Sequence, residues 1–171
     1  MLTPPRLLIL IVFTLAILGT SAQTPALAPQ AVASIGLPEV NTRILAFVDA
    51  HMGKRVGTGQ CWDLAAAALE AAHAKWEGPY GFGTPVDPAT DDVLPGDIIQ
   101  FEEVIVEHVG PNSKSQDSFD HHTAIVQAVR GKGHYTIAHQ NFGRAGKKVN
   151  VMDLELDHIV KGSYTIYRPG R

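Results

Sequence analysis

The chain has 171 residues, of which 45% are hydrophobic and 18% are charged, and its formal net charge is -3 at pH 7. This length and composition predict one globular domain with a hydrophobic core, and they exclude a disordered or fibrous chain. The small negative charge offers no basic surface for nucleic acid or for an anionic membrane. We therefore expect neither nucleic acid nor a stable membrane association among the partners.

The N-terminal segment has the features of an export signal. Arg6 precedes residues 7–18, which are apolar apart from Thr14, and small residues follow them. Because this run is too short to span ~30 Å of hydrocarbon comfortably, it predicts a secretory signal peptide over residues 1–22 that is cleaved near Ala22. An uncleaved anchor is the alternative. The mature protein is expected to be secreted, or periplasmic or extracellular, and to meet the membrane only transiently during export.

Residues 23–37 are rich in Ala and Pro and carry no charge. This composition predicts a flexible linker. The folded part is then a single domain over residues 38–171. It opens with two predicted helices, the first from Pro38 to about His51 and the second from about Cys61 to Lys75.

The pattern then changes from helix to strand. Gly and Pro residues punctuate 76–92, which predicts an irregular connection with no element of its own. Residues 103–120 are polar and turn-prone, and at this length they predict a binding loop or lid. A first strand is predicted to begin at Ile98, and four further strands are predicted over 123–129, 135–140, 148–152 and 163–167. Gly131-Lys132-Gly133 predicts a hairpin turn between the second and third of these five strands. Helices followed by a meander of strands predict an α+β fold with an antiparallel sheet packed on the Cys61 helix.

Cys61 is the only cysteine, so the chain cannot close an internal disulfide. An unpaired cysteine in an exported protein is a buried inert residue, an intermolecular bridge or a working thiol. Cys61 lies where a loop with two glycines turns into the second helix. There the unpaired backbone N–H groups and the helix dipole favour a thiolate, which is the form that acts as a nucleophile.

Two histidines are placed to assist a thiol. His122 opens one predicted strand and His139 ends the next, and the turn near residue 132 brings them opposite each other or one diagonal position apart. Asn141 shares the face of His139 if that strand continues. A base and a group that orients it are what a thiol nucleophile requires. His121 is expected to be exposed, because adjacent strand residues point to opposite faces. The other five histidines have no such partner and are interpreted as structural or solvated: His51, His73, His108, His134 and His158.

A metal site formed by Asp120, His122 and His139 is an alternative for the same histidines. Imidazole and carboxylate groups are good zinc ligands, but no characteristic ligand spacing accompanies these three residues. The sequence therefore predicts neither a metal nor another cofactor.

The ordered motifs of the chain resemble a known group of enzymes. They are Gly59-Gln60-Cys61 before a helix, Pro95-Gly96-Asp97 before an apolar strand, His122-x-Ala-Ile-Val, and a strand ending in His139-x-Asn141. Together they are similar to the motifs of CHAP and NlpC-like cysteine peptidases and amidases. These enzymes belong to the papain-like superfamily, and many bacterial members cut amide bonds in peptidoglycan. The resemblance extends from about Val40 to Tyr167.

The resemblance implies a role for each matching residue. Cys61 would be the nucleophile, His122 the general base, His139 the residue that orients the base, and Asn141 the accompanying asparagine. Gln60 matches the Gln-Cys pair typical of CHAP domains. CHAP sequences usually have Glu at the position of His139, whereas a histidine there is similar to the Cys-His-His arrangement of NlpC-like enzymes. The backbone N–H of Cys61, at a helix N-terminus, is the expected donor to an oxyanion.

These observations predict a secreted cysteine hydrolase that cleaves amide bonds in peptidoglycan or related peptides. Trp62, Tyr80 and Phe82 are the residues expected to contact the substrate. Two alternatives belong to other classes of protein. One is a non-catalytic binding module that retains the papain-like fold, and the other is a metal-binding structural protein.

Overall fold

The computed structural model describes residues 36–171, which form an α+β domain of two helices and one six-stranded sheet. The predicted signal peptide and all but the end of the predicted linker lie outside the described residues. The helices are α1 (Glu39–His51) and α2 (Cys61–Ala71), and the strands are β1 (Thr84–Val86), β2 (Ile98–Gly110), β3 (Ser113–Gly131), β4 (His134–His139), β5 (Asn150–Glu155) and β6 (Ile159–Arg168). Within residues 36–171, no helix combines the length and apolar character that crossing a membrane requires.

Both predicted helices are confirmed, and α2 is shorter than predicted. It ends at Ala71 because His73 adopts a left-handed backbone conformation with φ of 55°, which turns the chain out of the helix. The N–H of Ala74 then donates to the carbonyl of Leu69 at 3.0 Å. Helix propensity continues to Lys75 in the sequence, so propensity alone could not place this end.

The sheet is antiparallel throughout, in the order β1-β6-β2-β3-β4-β5, which confirms the predicted fold class. Successive side chains of a strand point to opposite faces, so the sheet has two different sides. On the helix side, Ile98 and Ile125 pack with the buried faces of α1 and α2. On the far side, a second apolar cluster contains Phe101 and Phe119. The sheet therefore separates two hydrophobic cores.

The prediction of a loop or lid over residues 103–120 is wrong. β2 runs on to Gly110 and β3 begins at Ser113, so this segment is a long hairpin whose turn has only two residues. Polar pairs across the strands, such as His108 with Asp117 at 2.9 Å, account for its polar composition. Glu103 interrupts the alternation of buried and exposed residues along β2, because it has φ of 50° at an irregularity in the pairing of β2 with β6.

The remaining strands agree with the sequence in number and differ in extent. The turn at Gly131-Lys132-Gly133 is confirmed between β3 and β4, and β5 and β6 take the places of the last two predicted strands. Residues 76–92 contain one element that was not predicted, the short strand β1, which pairs with β6. Pro85 lies in β1, and a proline is tolerated there because β1 is an edge strand.

The Pro95-Gly96-Asp97 motif forms the turn that leads into β2. The N–H of Asp97 donates to the carbonyl of Leu94 at 3.0 Å, and Gly96 supplies the positive φ of 90° that the third position of a type II turn requires. The carboxylate of Asp97 is fully buried. It accepts hydrogen bonds from the Asn41 amide on α1 and from Arg168 on β6, so the turn connects α1 to β6.

Candidate active site

The thiol of Cys61 lies at the first residue of α2, after a loop held by a capping box. The Asp63 carboxylate accepts hydrogen bonds from the backbone N–H of Gln60 at 3.1 Å and from the N–H and hydroxyl of Thr58 at 2.8 and 2.6 Å. Partial burial raises the pKa of Asp63, but these hydrogen bonds outweigh it and hold the pKa below its ordinary value. Asp63 therefore fixes the loop that presents the thiol.

The partly exposed Cys61 thiol contacts the His121-His122 segment in the middle of β3. Its Sγ lies 3.9 Å from the backbone carbonyl oxygen of His121, which belongs to the peptide group that joins His121 to His122. The thiol therefore donates its hydrogen bond to a backbone carbonyl and not to an imidazole. The thiol is placed at the peptide that joins the two histidines.

His122 and His139 are brought together by the β3–β4 hairpin. Ile125 pairs with Ala138, so His139 lies opposite Ala124 and one diagonal position from His122. Nε2 of His122 and Nδ1 of His139 are 3.0 Å apart, and the exposed fractions of the two residues are 5% and 0%. Because this hydrogen bond occupies Nε2 of His122, Nδ1 is the nitrogen left to exchange a proton with a thiol.

The surroundings of this pair keep both imidazoles neutral. Burial lowers the pKa of His122 to about 3, helped by repulsion from His139 and His121, and burial lowers that of His139 to about 4. The rings of Phe119 and Phe142 pack against His122, with ring centroids 4.9 and 5.8 Å away. Within residues 36–171, neither ring is hydrogen-bonded to a carboxylate that would stabilise an imidazolium.

The hydrogen bond between the two rings has two tautomeric forms with different consequences. If His122 donates from Nε2, its Nδ1 carries a lone pair and can accept the proton of a thiol. Nε2 of His139 then carries a hydrogen, and within residues 36–171 this buried atom has no hydrogen-bond partner. Leaving such a donor unsatisfied costs about 1–3 kcal/mol. The tautomer in which His122 can act as a base therefore carries this free-energy cost at Nε2 of His139.

The buried histidine pair predicts a specific loss of stability in mild acid. In the folded state the rings bind no proton until pH approaches about 4 and 3, whereas in the unfolded chain they bind protons below about 6.5. Their contribution is complete above pH 6.5 and is lost as the pH falls, by roughly 4 kcal/mol for the pair between pH 6.5 and 4.5. Urea unfolding across this range measures the slope. In the double variant His122→Gln, His139→Gln we expect a shallower slope, and an unchanged slope would show that the pair is not buried and neutral.

Asn141 is not placed as the sequence suggested. β4 ends at His139, and Asn141 has a left-handed backbone conformation with φ of 63°, so it does not share the face of His139. Its amide donates instead to Oε1 of Gln60 at 2.8 Å. This contact connects the residue before Cys61 to the loop after β4.

Gln140 is a site residue that the sequence reasoning missed. Its side chain is fully buried, and its amide donates to the carbonyl oxygens of Val56 at 2.9 Å and of Gln60 at 2.7 Å while its Oε1 accepts from the N–H of Val56 at 3.1 Å. All three contacts are to the loop before Cys61. The sequence signal for Gln140 is a polar residue that lies between the site candidates His139 and Asn141, at the end of an apolar strand.

The three residues expected to contact a substrate differ in their positions. Phe82 is fully buried between Trp76 and Tyr167, so its ring belongs to the core and offers no surface to a substrate. Tyr80 is 41% exposed and meets His121 edge-on, with ring centroids 4.1 Å apart. Trp62 is half-buried against Trp76, with centroids 5.8 Å apart. Tyr80 and Trp62 keep accessible surface and Phe82 does not.

His121, the neighbour of His122 on β3, forms an imidazole–carboxylate pair with Glu102. Because adjacent residues of β3 point to opposite faces, the ring of His121 lies on the other side from that of His122. Nδ1 of His121 is 2.6 Å from a carboxylate oxygen of Glu102, its partner on β2. Glu102 does not emerge from the sequence pattern, because with a loop predicted from residue 103 onward His121 has no cross-strand partner.

The proposed ligand set Asp120, His122 and His139 is not a group of converging ligand atoms. Asp120 is exposed, whereas the two histidines are buried and bonded to each other. Within the described residues, the group of three side chains whose ligand atoms converge lies elsewhere and includes none of these three.

Comparison with known proteins gives a family and one curated relative. A family model described as the AIM3/BBC1 cysteine proteinase-fold domain matches residues 37–171. The chain is 30% identical over 136 residues to Altered inheritance of mitochondria protein 3 of Debaryomyces hansenii, a match that covers 69% of this chain and 14% of that protein. The chain therefore spans about one seventh of the length of this curated relative.

Two solved structures are similar at 18% identity. A crystal structure of Ly7917 gives a TM-score of 0.47 and covers 74% of this chain and 62% of that chain. A crystal structure of Ly7917 with the hydrolyzing product of MDP gives a TM-score of 0.49 and covers 76% and 63%. This chain thus spans less than two thirds of the length of Ly7917.

Proposed function

The chain belongs to the AIM3/BBC1 family of cysteine proteinase-fold domains, a papain-like fold, and from this premise we propose that it is a cysteine hydrolase that cleaves amide bonds in peptides. One observation carries the proposal. The thiol at the start of α2 contacts the peptide between His121 and His122, and His122 is hydrogen-bonded to His139 at 3.0 Å. A nucleophile, a base and a group that orients the base are the three parts that this chemistry needs.

In the proposed reaction, Sγ of Cys61 attacks the amide carbonyl carbon and its proton moves to Nδ1 of His122. The tetrahedral intermediate collapses as His122 returns that proton to the leaving nitrogen, which releases an amine and leaves a thioester on Cys61. A water molecule then attacks the thioester, again with His122 as the base. The carboxylic acid product and the free thiol complete the cycle.

The residues around the thiol support the remaining roles. The backbone N–H of Cys61 lies at a helix N-terminus, where it is suited to donate to the oxyanion. The Oε1 atom of Gln60 accepts from Asn141, and this leaves the amide N–H groups of Gln60 as further donors. His139 and Phe142 hold the ring of His122 and keep it from water, as residues that position the base.

The substrate class is proposed more broadly than the resemblance to CHAP and NlpC-like enzymes implies. Peptide amides fit the proposed chemistry, and peptidoglycan remains one member of that class to be tested. The export signal proposed for residues 1–22 would bring the protein to peptides outside the cytoplasm. The exposed ring of Tyr80 and the half-buried ring of Trp62 are proposed to contact the substrate.

The test is hydrolysis by the purified full-length chain. A mixed peptide library and purified peptidoglycan are incubated with it, and new amino termini are detected by mass spectrometry. We expect new amines that are absent after the chain has been alkylated at Cys61 with iodoacetamide. Product that persists after complete alkylation would contradict the proposal.

A second candidate is a binding module that keeps the fold without catalysis. The observation that favours it is the strongly lowered pKa of both buried histidines, since His122 at about 3 is a weak base at neutral pH. If every substrate remains intact while a peptide or peptidoglycan fragment binds saturably to both the native and the alkylated chain, this second candidate is correct.

A further inference from the structure

A cluster of two imidazoles and two carboxylates lies at the end of the sheet away from the thiol. His134 begins β4 and Glu155 ends β5, and the two residues are direct partners across these strands. Asp157 and His158 follow in a short 3-10 helix, Leu156–His158. From His134 to His139 β4 advances five residues, or ~17 Å at ~3.4 Å each, so the cluster is separate from the candidate active site.

The side chains of this cluster converge on one carboxylate. Nε2 of His134 is 3.0 Å and Nε2 of His158 is 3.2 Å from the same oxygen, Oε2 of Glu155. One ligand atom each from His134, Glu155 and Asp157 lies within 4.8 Å of the other two. Four ligands placed tetrahedrally around a zinc ion are ~3.4 Å apart, so shifts of about 1 Å in flexible side chains would close the group around an ion.

The backbone that carries the cluster is held in place without any ion. The N–H of Leu156 donates to the carbonyl of Gly133 at 2.9 Å, which fixes the 3-10 helix against the β3–β4 turn. Consecutive partners along β4 and β5 fix His134 relative to Glu155. A site on a rigid backbone binds more tightly because less ordering accompanies binding.

We propose that His134, Glu155, Asp157 and His158 form a Zn²⁺ site. Two imidazole nitrogens and two carboxylates suit zinc, whereas calcium and magnesium prefer sets made only of oxygen atoms. On binding, the ion takes the Nε2 lone pairs of both imidazoles, so each ring carries its remaining proton on Nδ1. Any second proton that a ring had shared with Glu155 is released to solvent.

The surroundings leave the site accessible to the ion and to a further ligand. The side chains of His134 and His158 are 49% and 40% exposed. A cavity of about 600 Å³ borders the cluster, and His134 and Asp157 contribute to its wall together with Lys132. Zinc bound here would join β4, β5 and the 3-10 helix, and we expect it to stabilise this end of the sheet.

The test measures zinc binding by the full-length chain in a Cys61→Ala background, which removes the thiol as a competing ligand. Competition with a chromogenic chelator gives the affinity and stoichiometry. We expect one equivalent of Zn²⁺, and a rise in melting temperature on its addition. Loss of a residue that only supports a ligand already weakens metal binding about 10–100-fold, so the double variant His134→Gln, His158→Gln should bind at least ~100-fold more weakly.

The matched control is His121→Gln in the same background. His121 and Glu102 form an imidazole–carboxylate pair with similar exposure, 42% and 47%, but without a second imidazole. This variant should keep the affinity and the melting-temperature rise of its parent. Equal binding by the double variant and its parent, equal weakening by the control, or absence of saturable Zn²⁺ binding by the parent would each overturn the proposal. Circular dichroism without zinc confirms that every variant is folded.

Discussion

Replacement of Cys61 by Ala should lower kcat/KM for amide hydrolysis by at least about 10³-fold, because the covalent route is lost with the nucleophile. The chain has no second cysteine that could take over the attack. Steady-state kinetics on a peptide cleaved by the native chain measures the effect. Replacement of His122 by Ala should cause a loss of similar size, and the double variant should lose little more than either single variant, because the two residues act as a unit.

Ser115→Ala is the control for this series. Ser115 is exposed in the outer part of the β2–β3 hairpin, where it pairs with His108, and its variant should keep native kinetics. The Cys61→Ala chain should also unfold at nearly the same urea concentration as the native chain, since the thiol is partly exposed and is bonded only weakly. Hydrolysis at the native rate by Cys61→Ala would show that the thiol is not the nucleophile.

Replacement of Asp97 by Ala should lower the free energy of unfolding by about 3–5 kcal/mol, which is the usual cost of removing one partner of a buried ion pair. Arg168 donates to Asp97 through Nε at 3.2 Å and through Nη2 at 2.9 Å, and Asn41 and the N–H of Leu94 donate to the same carboxylate. Each of these groups would lose its hydrogen bond to Asp97 at once, and Asn41 and Arg168 would keep only their bonds to the backbone carbonyls of Pro95 and Asp92. Urea unfolding at pH 7 measures the difference.

The control is Asp92→Ala, which removes an exposed carboxylate in the same loop and should change the free energy of unfolding by less than about 0.5 kcal/mol. A small effect of Asp97→Ala would mean that water replaces the lost carboxylate and that the turn is not fixed by it. In the variant Asp97→Asn, one oxygen still accepts from Arg168, so an intermediate loss is expected.

The fold class followed from patterns that act over short distances. Helical spacing before residue 75 and β-type alternation after residue 97 are properties of neighbouring residues, and they were enough to predict two helices on an antiparallel sheet. The segment 103–120 failed the same analysis because its polar residues pair across a hairpin and because Glu103 interrupts the alternation with a left-handed residue. Patterns of consecutive residues do not show which residues pair across two strands.

The site was predictable where it depended on the hairpin and not where it depended on burial. The spacing of His122 and His139 about a two-glycine turn was sufficient to bring them together. The burial of Phe82 and the contacts of Gln140 required knowledge of what packs above and below each residue, which one sequence does not contain. Asn141 differed because a single left-handed residue ended β4 and changed the direction of its side chain.

The buried amide of Gln140 also bears on the order in which this domain assembles. The loop that presents the thiol receives three hydrogen bonds from a residue that is 80 to 84 positions away along the chain. Contacts of such high sequence separation carry a loop-closure cost before they are formed, so we expect them to form after the intervening strands have paired. We therefore expect the loop that presents Cys61 to be organised late in folding, and a chain that has not completed its sheet to carry an unorganised thiol.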